Sequence, residues 1–270
     1  AACGLAFSCK FTAVLFPPLL GLAWWTDRWR VLREPPVAAA ARVARGMVGF
    51  GLVMLLTDLA VTGLAAVPLT HEVGVGHPSV EARLGRWPGL AAAVSRAAEA
   101  PMPQDLVGFV TQMQHQKSGG PSYLLGERRM KGWWYYYFVA LAVKVPLSLL
   151  VLLGARGAVV RGSAWSENRD WFLPLMIAGF LAITAAGSSR NYGVRYLLPL
   201  APLAVVWASS LAERRDWLIG LAWACVAGQA LAVASVYPDE LTYFNPVAGG
   251  RAGGRAVLSD SNLDWGQGLK

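Results

Sequence analysis

Charge is scarce in this sequence. Asp, Glu, Lys and Arg make up 15% of its 270 residues, against about 25% in a soluble domain. Hydrophobic residues reach 55%. They gather in long runs rather than at the spacing of a soluble core, which points to a bilayer. Cysteine is scarce too. Cys3, Cys9 and Cys225 all lie in apolar runs without metal-ligand spacing, so they predict neither a disulfide framework nor a cysteine metal site. The three histidines, His71, His77 and His115, form no ligand cluster. GxSxG, HExxH, a Walker loop and GxGxxG are missing, which excludes the hydrolases and nucleotide binders built on them. No metal and no cofactor is predicted. No signal peptide is visible, because an apolar run is already under way at Ala1, and the chain reads as a fragment cut at both ends.

What is present is a set of apolar runs separated by basic connections. Six spans are predicted, at 1–26, 46–68, 133–153, 171–187, 196–211 and 217–236. The net charge of +8 does not form a basic stripe with exposed aromatics, so nucleic acid is rejected as a partner. Its arginines fall mainly in short connections instead: Arg28, Arg30, Arg33, Arg42 and Arg45 in 27–45, Arg156, Arg161 and Arg169 in 154–170, Arg214 and Arg215 in 213–216. The positive-inside rule puts these three in the cytoplasm. Segment 70–132, loop 188–195 and the tail from Tyr237 then lie on the opposite face. Within 70–132, residues 80–99 and 104–116 read as amphipathic helices on the outer membrane surface, with Pro88 and Pro101-Met102-Pro103 as breaks.

A charge within a span is expensive, which singles out Lys10, Asp58 and Lys144. The lysines either snorkel or serve a cavity for carrier or substrate, and Asp58 either pairs with a neighbouring helix or does the same. Arg128, Arg129 and Lys131 precede the aromatic belt Trp133–Tyr137 on the outer face, where generic headgroup contact is the favoured reading. Arg190 and Arg195 run against the positive-inside tendency. They stand at the mouth of the fifth span, ahead of Tyr196, and planar guanidinium forks suit phosphate.

The tail ends in SDSNLDWGQ (259–267). Asp260 and Asp264 are four residues apart, which is not a DxD metal spacing. With Ser259, Asn262, Trp265 and Gln267 they either touch a substrate or brace a turn rich in hydrogen bonds, and bracing is the commoner use of such residues.

Taken in order, PSYLLGERRMKGWWYYYFVALAVKVPL (121–147), RYLLPLAPL (195–203), YPDELTYFNPVAGG (237–250) and SDSNLDWGQ resemble segments of bacterial membrane glycosyltransferases similar to family 39. That group is related to the protein O-mannosyltransferases and lipid-A aminoarabinose transferases. The opening GLAFSCKFTAVLFPPLL (4–20) is similar to a helix in the middle of such chains. The resemblance implies an all-α, polytopic helical membrane protein of the GT-C type. Residues 1–236 would be its transmembrane region and 237–270 the start of an extracytoplasmic part. It further implies transfer of a sugar from a polyprenyl-phosphate carrier to a protein, lipid or glycan acceptor outside the bacterial inner membrane.

The general base implied by the family is an acidic residue after the first helix, and no residue here corresponds to it. Arg195, Arg190 and Tyr196 are then the candidates for the carrier phosphate. Tyr123, Lys131, Lys144, Asp260, Asn262, Asp264, Trp265 and Gln267 are the candidates for the substrate cavity. Gly120 and Val145 depart from the family pattern, which often has His and Thr there. The rival reading is a transporter or flippase for an isoprenoid-linked substrate, which would use broken helices and intramembrane charge as well.

Overall fold

The computed structural model describes residues 15–62, 65–69, 84–161, 171–187, 189–191, 193–213, 216–259 and 262–263. Lys10, Cys3, Cys9, His71, His77, Arg169, Arg214 and Arg215 lie outside the described residues, as do Asp260, Asp264, Trp265 and Gln267. The protein is mostly helical and divides into two compact units: Ala1–Pro18 with Ala40–Ser118, and Leu19–Ala39 with Gly119–Lys270. Helix α1 (Phe16–Thr26) runs into a π-helical turn at Asp27–Val31, and α2 (Pro36–Val61) follows.

The first unit is built on α2, whose 26 residues extend about 39 Å, enough to cross a hydrocarbon core of about 30 Å. Val48, Leu52 and Leu56 stand exposed on it, as lipid-facing residues do. This helix corrects the span predicted at 46–68. It starts ten residues earlier and takes Arg42 and Arg45 into its first turns, while 66–68 is a strand. Strand β1 (Ala66–Pro68) pairs antiparallel with β2 (Pro101–Pro103), Val67 opposite Met102. Prolines at both ends keep the ladder short, since they bring no N–H. Helix α3 (Pro88–Glu99) leads into β2, and α4 (Gln104–Ser118) leaves it. The break expected at Pro88 is there, with residues 85–87 non-helical before it. Pro88 opens α3, because a first-turn residue needs no N–H partner.

The second unit carries the hairpin β3 (Ser122–Leu124) and β4 (Glu127–Arg129), then α5 (Tyr136–Lys144), α6 (Leu147–Arg161), α7 (Phe172–Gly187), α8 (Leu200–Ser209), α9 (Trp217–Ala234) and α10 (Gly250–Val257). The span predicted at 133–153 is two helices bent by 110°. Val145, between them, is extended at φ −82° and ψ 134°. Pro146 explains this: its ring disfavours helical backbone in the residue before it. Leu152, Ala208, Leu211, Leu218 and Cys225 form an apolar core among α6, α8 and α9. Close approaches fix the packing around it. Ser148 meets the backbone of Gly228, and Leu19 fills the place a side chain on Gly179 would need.

Six spans are not what the described residues contain. Two helices, α2 and α9, are long and apolar enough to cross a membrane, and α5 with α6 makes a third if the bent pair is one span. Helix α7 agrees with the run predicted at 171–187, yet its 16 residues reach only about 24 Å. The run at 196–211 is a 3-10 turn at Val194–Leu197, the ten-residue α8, and a second 3-10 turn at Ser210–Glu213. Pro199 caps α8 and Pro202 sits in its first turn, where prolines begin helices rather than continue them. Arg156, read as a loop charge, is buried within α6. Its Nε donates to the Trp207 carbonyl at 3.3 Å.

Candidate functional site

The break between α5 and α6 is where the second unit concentrates its buried polar groups. A helix end leaves carbonyls without intrahelical partners, and here one distant residue supplies them. Asn245, 0% exposed, donates from Nδ2 to the carbonyls of Ala142 at 2.6 Å and Val145 at 3.0 Å. Its backbone N–H donates to Val143 at 2.9 Å. The side-chain oxygen faces the other way and accepts from Val247 and Ala248, capping the 3-10 turn at Pro246–Ala248.

Lys144 makes the reverse connection. Its Nζ donates to the carbonyls of Leu241 at 2.7 Å, Tyr243 at 2.9 Å and Asn262 at 2.6 Å, and lies 4.1 Å from the centre of the Phe244 ring. An ammonium has three protons, and all three are engaged. Asn262, also 0% exposed, joins a third element. Its Oδ1 accepts from Val194 N–H at 3.0 Å, while Nδ2 donates to the Tyr136 hydroxyl at 2.8 Å and the Ser259 carbonyl at 3.3 Å.

Above this clasp, the segment carrying Arg190 packs against two glycines. Asn191 Oδ1 accepts from Trp133 N–H at 2.9 Å, and Gly132 N–H donates to the Ser189 carbonyl at 2.8 Å. A side chain on Gly132 would overlap the Asn191 amide, and one on Gly120 would overlap the Arg190 guanidinium. The space a side chain at position 120 would use is filled by Arg190. Arg195 lies over the Tyr196 ring, 5.6 Å from its centre.

Beside the clasp is a cavity of about 450 Å³, walled mostly by apolar residues, with leucines from each of α5, α6, α7 and α8 among them. Lys144, Glu240 and Tyr243 are the polar residues that line it. Burial pushes the Tyr243 hydroxyl above its usual value. The turn that bears Arg195 and Tyr196 contributes Val194 and Leu197 to the wall; neither Arg190 nor Arg195 lines it. The arrangement suits a hydrocarbon chain with a polar group at one end.

Of the residues singled out in the sequence, Lys144 and Asn262 come into direct contact, and the Arg195-Tyr196 turn is tied to them through Val194. Tyr123 and Lys131 do not line the cavity. The Tyr123 hydroxyl donates to the Ala256 carbonyl at 3.1 Å, which fastens the hairpin to α10, and Lys131 is exposed. The sequence reading does not single out Asn245, Asn191, Phe244 or Gly132, and it places Tyr136 only in the aromatic belt. For Asn245 the only local signal is its place before Pro246. Among the described residues, no three His, Cys, Asp or Glu side chains group as metal ligands. The chain matches no protein-family model, no curated protein and no solved structure.

Proposed function

We propose that the chain is part of a multi-pass bacterial inner-membrane glycosyltransferase of the GT-C type, moving a sugar from a polyprenyl-phosphate carrier to an extracytoplasmic acceptor. The observation that supports this reading most directly is the apolar cavity at the α5–α6 break, with the Arg195-Tyr196 turn forming part of its wall. A carrier lipid needs an apolar channel for its chain and a cation where the chain ends. In this reading Arg195 grips the phosphate with two N–H donors and stabilises the charge that builds on it as the sugar departs. Arg190 assists from its seat over Gly120. Asn245, Lys144 and Asn262 hold the frame and leave proton transfer to an acidic group supplied elsewhere. Helices α3 and α4 and the hairpin belong to the outer face as parts of loop 70–132, and α10 belongs to the start of the extracytoplasmic part at 237–270.

The 110° break beside Lys144 also fits a carrier that moves an isoprenoid-linked substrate across the membrane, since transporters place sites at interrupted helices. The two readings separate on chemistry. The full-length protein in vesicles, given polyprenyl-phosphate sugar and acceptor peptides or lipids, should release free polyprenyl phosphate as the sugar moves. Movement of intact carrier across the bilayer without release of phosphate would replace the transferase reading with the transporter.

A further inference from the structure

Among the described residues of helix α3, those that are buried are small. Ala91, Ser95 and Ala98 are buried at helical spacing. Beside that stripe, Trp87 is 67% exposed, Leu90 52% and Val94 37%. They recur at i, i+3 and i+7, so they form one apolar ridge along the helix. Such a ridge next to a packed stripe asks what covers it.

The position of α3 supplies an answer. Its C-terminal end leads directly into β2, which pairs with β1, five residues beyond the end of α2. Gln104 N–H, just past β2, donates to the Ala65 carbonyl at 3.0 Å. Helix α3 is thus fastened at the level where α2 leaves the apolar layer. The charges on it fit the same surroundings. Arg86 directly precedes Trp87, Arg96 is exposed on another face and Glu99 closes the helix, so the cations outnumber the carboxylate, as anionic headgroups favour. A tryptophan beside an arginine is a common anchor at that depth.

We infer that the Trp87–Leu90–Val94 ridge is a lipid-binding surface that sinks into the interface of an anionic bilayer, leaving Ala92 toward water. The inference rests on α2 crossing the membrane and not on sugar transfer. The ridge should enter to a depth of about 5–10 Å, and its occupant is headgroup and upper acyl chain rather than a second protein.

Spin labels on the full chain test this, with Cys3, Cys9 and Cys225 replaced by Ala and the protein in phosphatidylcholine–phosphatidylglycerol vesicles. Single cysteines go at Leu90, at Ala92 and, as a reference within α2, at Leu52. The Leu90 label should collide with oxygen in preference to a water-soluble nickel chelate by several-fold more than the Ala92 label does. Leu90→Glu, on an exposed face that bears no packing, should raise nickel collisions of a Val94 label several-fold. Equal nickel access at Leu90 and Ala92 would mean the ridge faces water, and a Leu90 label reached by neither reagent would mean protein covers it; either result overturns the inference. If the Leu52 label also lacks oxygen preference, the membrane reading of α2 falls, and the ridge proposal falls with it. Lipid access at Leu52 without it at Leu90 would overturn the ridge alone.

Discussion

The ammonium of Lys144 and the carbonyl of Asn262 meet at 2.6 Å although 118 residues separate them. With the Asn245 contacts, this closes a reciprocal exchange. The broken helix gives its cation to the tail's carbonyls, and the tail gives its amide to the broken helix's carbonyls. Lys144→Met keeps the stem against the cavity and removes all three donors. A stranded buried acceptor costs about 1–3 kcal/mol, so the variant should lose about 3 kcal/mol. Proteolysis should then open the tail beyond Val236 while α9 stays protected. A cleavage pattern identical to that of the native protein would contradict the clasp.

Asn245 gives a sharper contrast. Asn245→Ala deletes both donors and the cap on Pro246–Ala248, and should cost about 2–4 kcal/mol. Asn245→Asp keeps the cap yet points a carboxylate at the carbonyls of Ala142 and Val145. It should therefore be the less stable of the two in thermal melts of the detergent-solubilised protein. The opposite order would mean that capping the 3-10 turn matters more than closing the break.

Gly120 and Arg190 form a testable pair. Gly120→Ala puts a methyl group into the Arg190 guanidinium and should cost about 1–3 kcal/mol. In an Arg190→Ala background the same change should cost little, because the obstruction is gone. Additive losses across the double-mutant cycle would show that the two residues do not share that space.

Arg195→Lys separates specific phosphate recognition from general attraction to headgroups. A lysine keeps the charge and loses the planar fork. On the proposed transferase reading, the variant of the full-length protein should insert normally, bind carrier more weakly and lose most turnover. Carrier affinity and turnover near those of the native enzyme would remove Arg195 from the phosphate site.

Asp105 predicts a dependence on pH in the first unit. Burial, and after it the hydrogen bond and charge of Asp58, raise its carboxyl above the ordinary value of 3.8. A raised carboxyl holds its proton more tightly in the folded chain. The stability it lends is fully present below the unfolded value and is lost as pH rises through the folded one. Amides of α4 should therefore exchange more slowly at about pH 4 than at about pH 7, after correction for intrinsic rates. Asp105→Asn should flatten that difference, and a slope that persists in the variant would assign it to another group.

The parts legible in the sequence were those set by local pattern. Helix α9 keeps the predicted boundaries within two residues because one uninterrupted apolar run, opened by the Asp216 cap, defines it. The bend at Val145 has a local cause in Pro146, yet hydropathy alone reads straight through it. The polar residues behave differently. Lys144 stood out as a charge in an apolar run, but its partners are carbonyls, which every residue carries and no side-chain pattern reveals. Asn245 was passed over for the same reason. Nothing local marks Gly120 or Gly132 as crowded, because the guanidinium and amide that exclude a side chain there come from positions 190 and 191. Bracing is the reading the sequence favours for the carboxylates of Asp260 and Asp264, which lie outside the described residues, while Asn262 bonds to Val194, Tyr136 and Ser259.

The clasp also sets an order of assembly on the ribosome. Residues 136–161 leave the tunnel long before Asn245 and Asn262 have been joined to the chain. During that interval the carbonyls of Ala142, Val143 and Val145 lack their native donor, and an unsatisfied carbonyl in hydrocarbon costs several kcal/mol. The nascent segment must therefore wait in a wet or chaperoned setting, such as the insertion channel, or enter the lipid as one straight helix and bend afterwards. A ribosome stalled before residue 245 would hold α5 and α6 without the donors of the clasp, so residues made a hundred positions later complete the hydrogen bonding at this break.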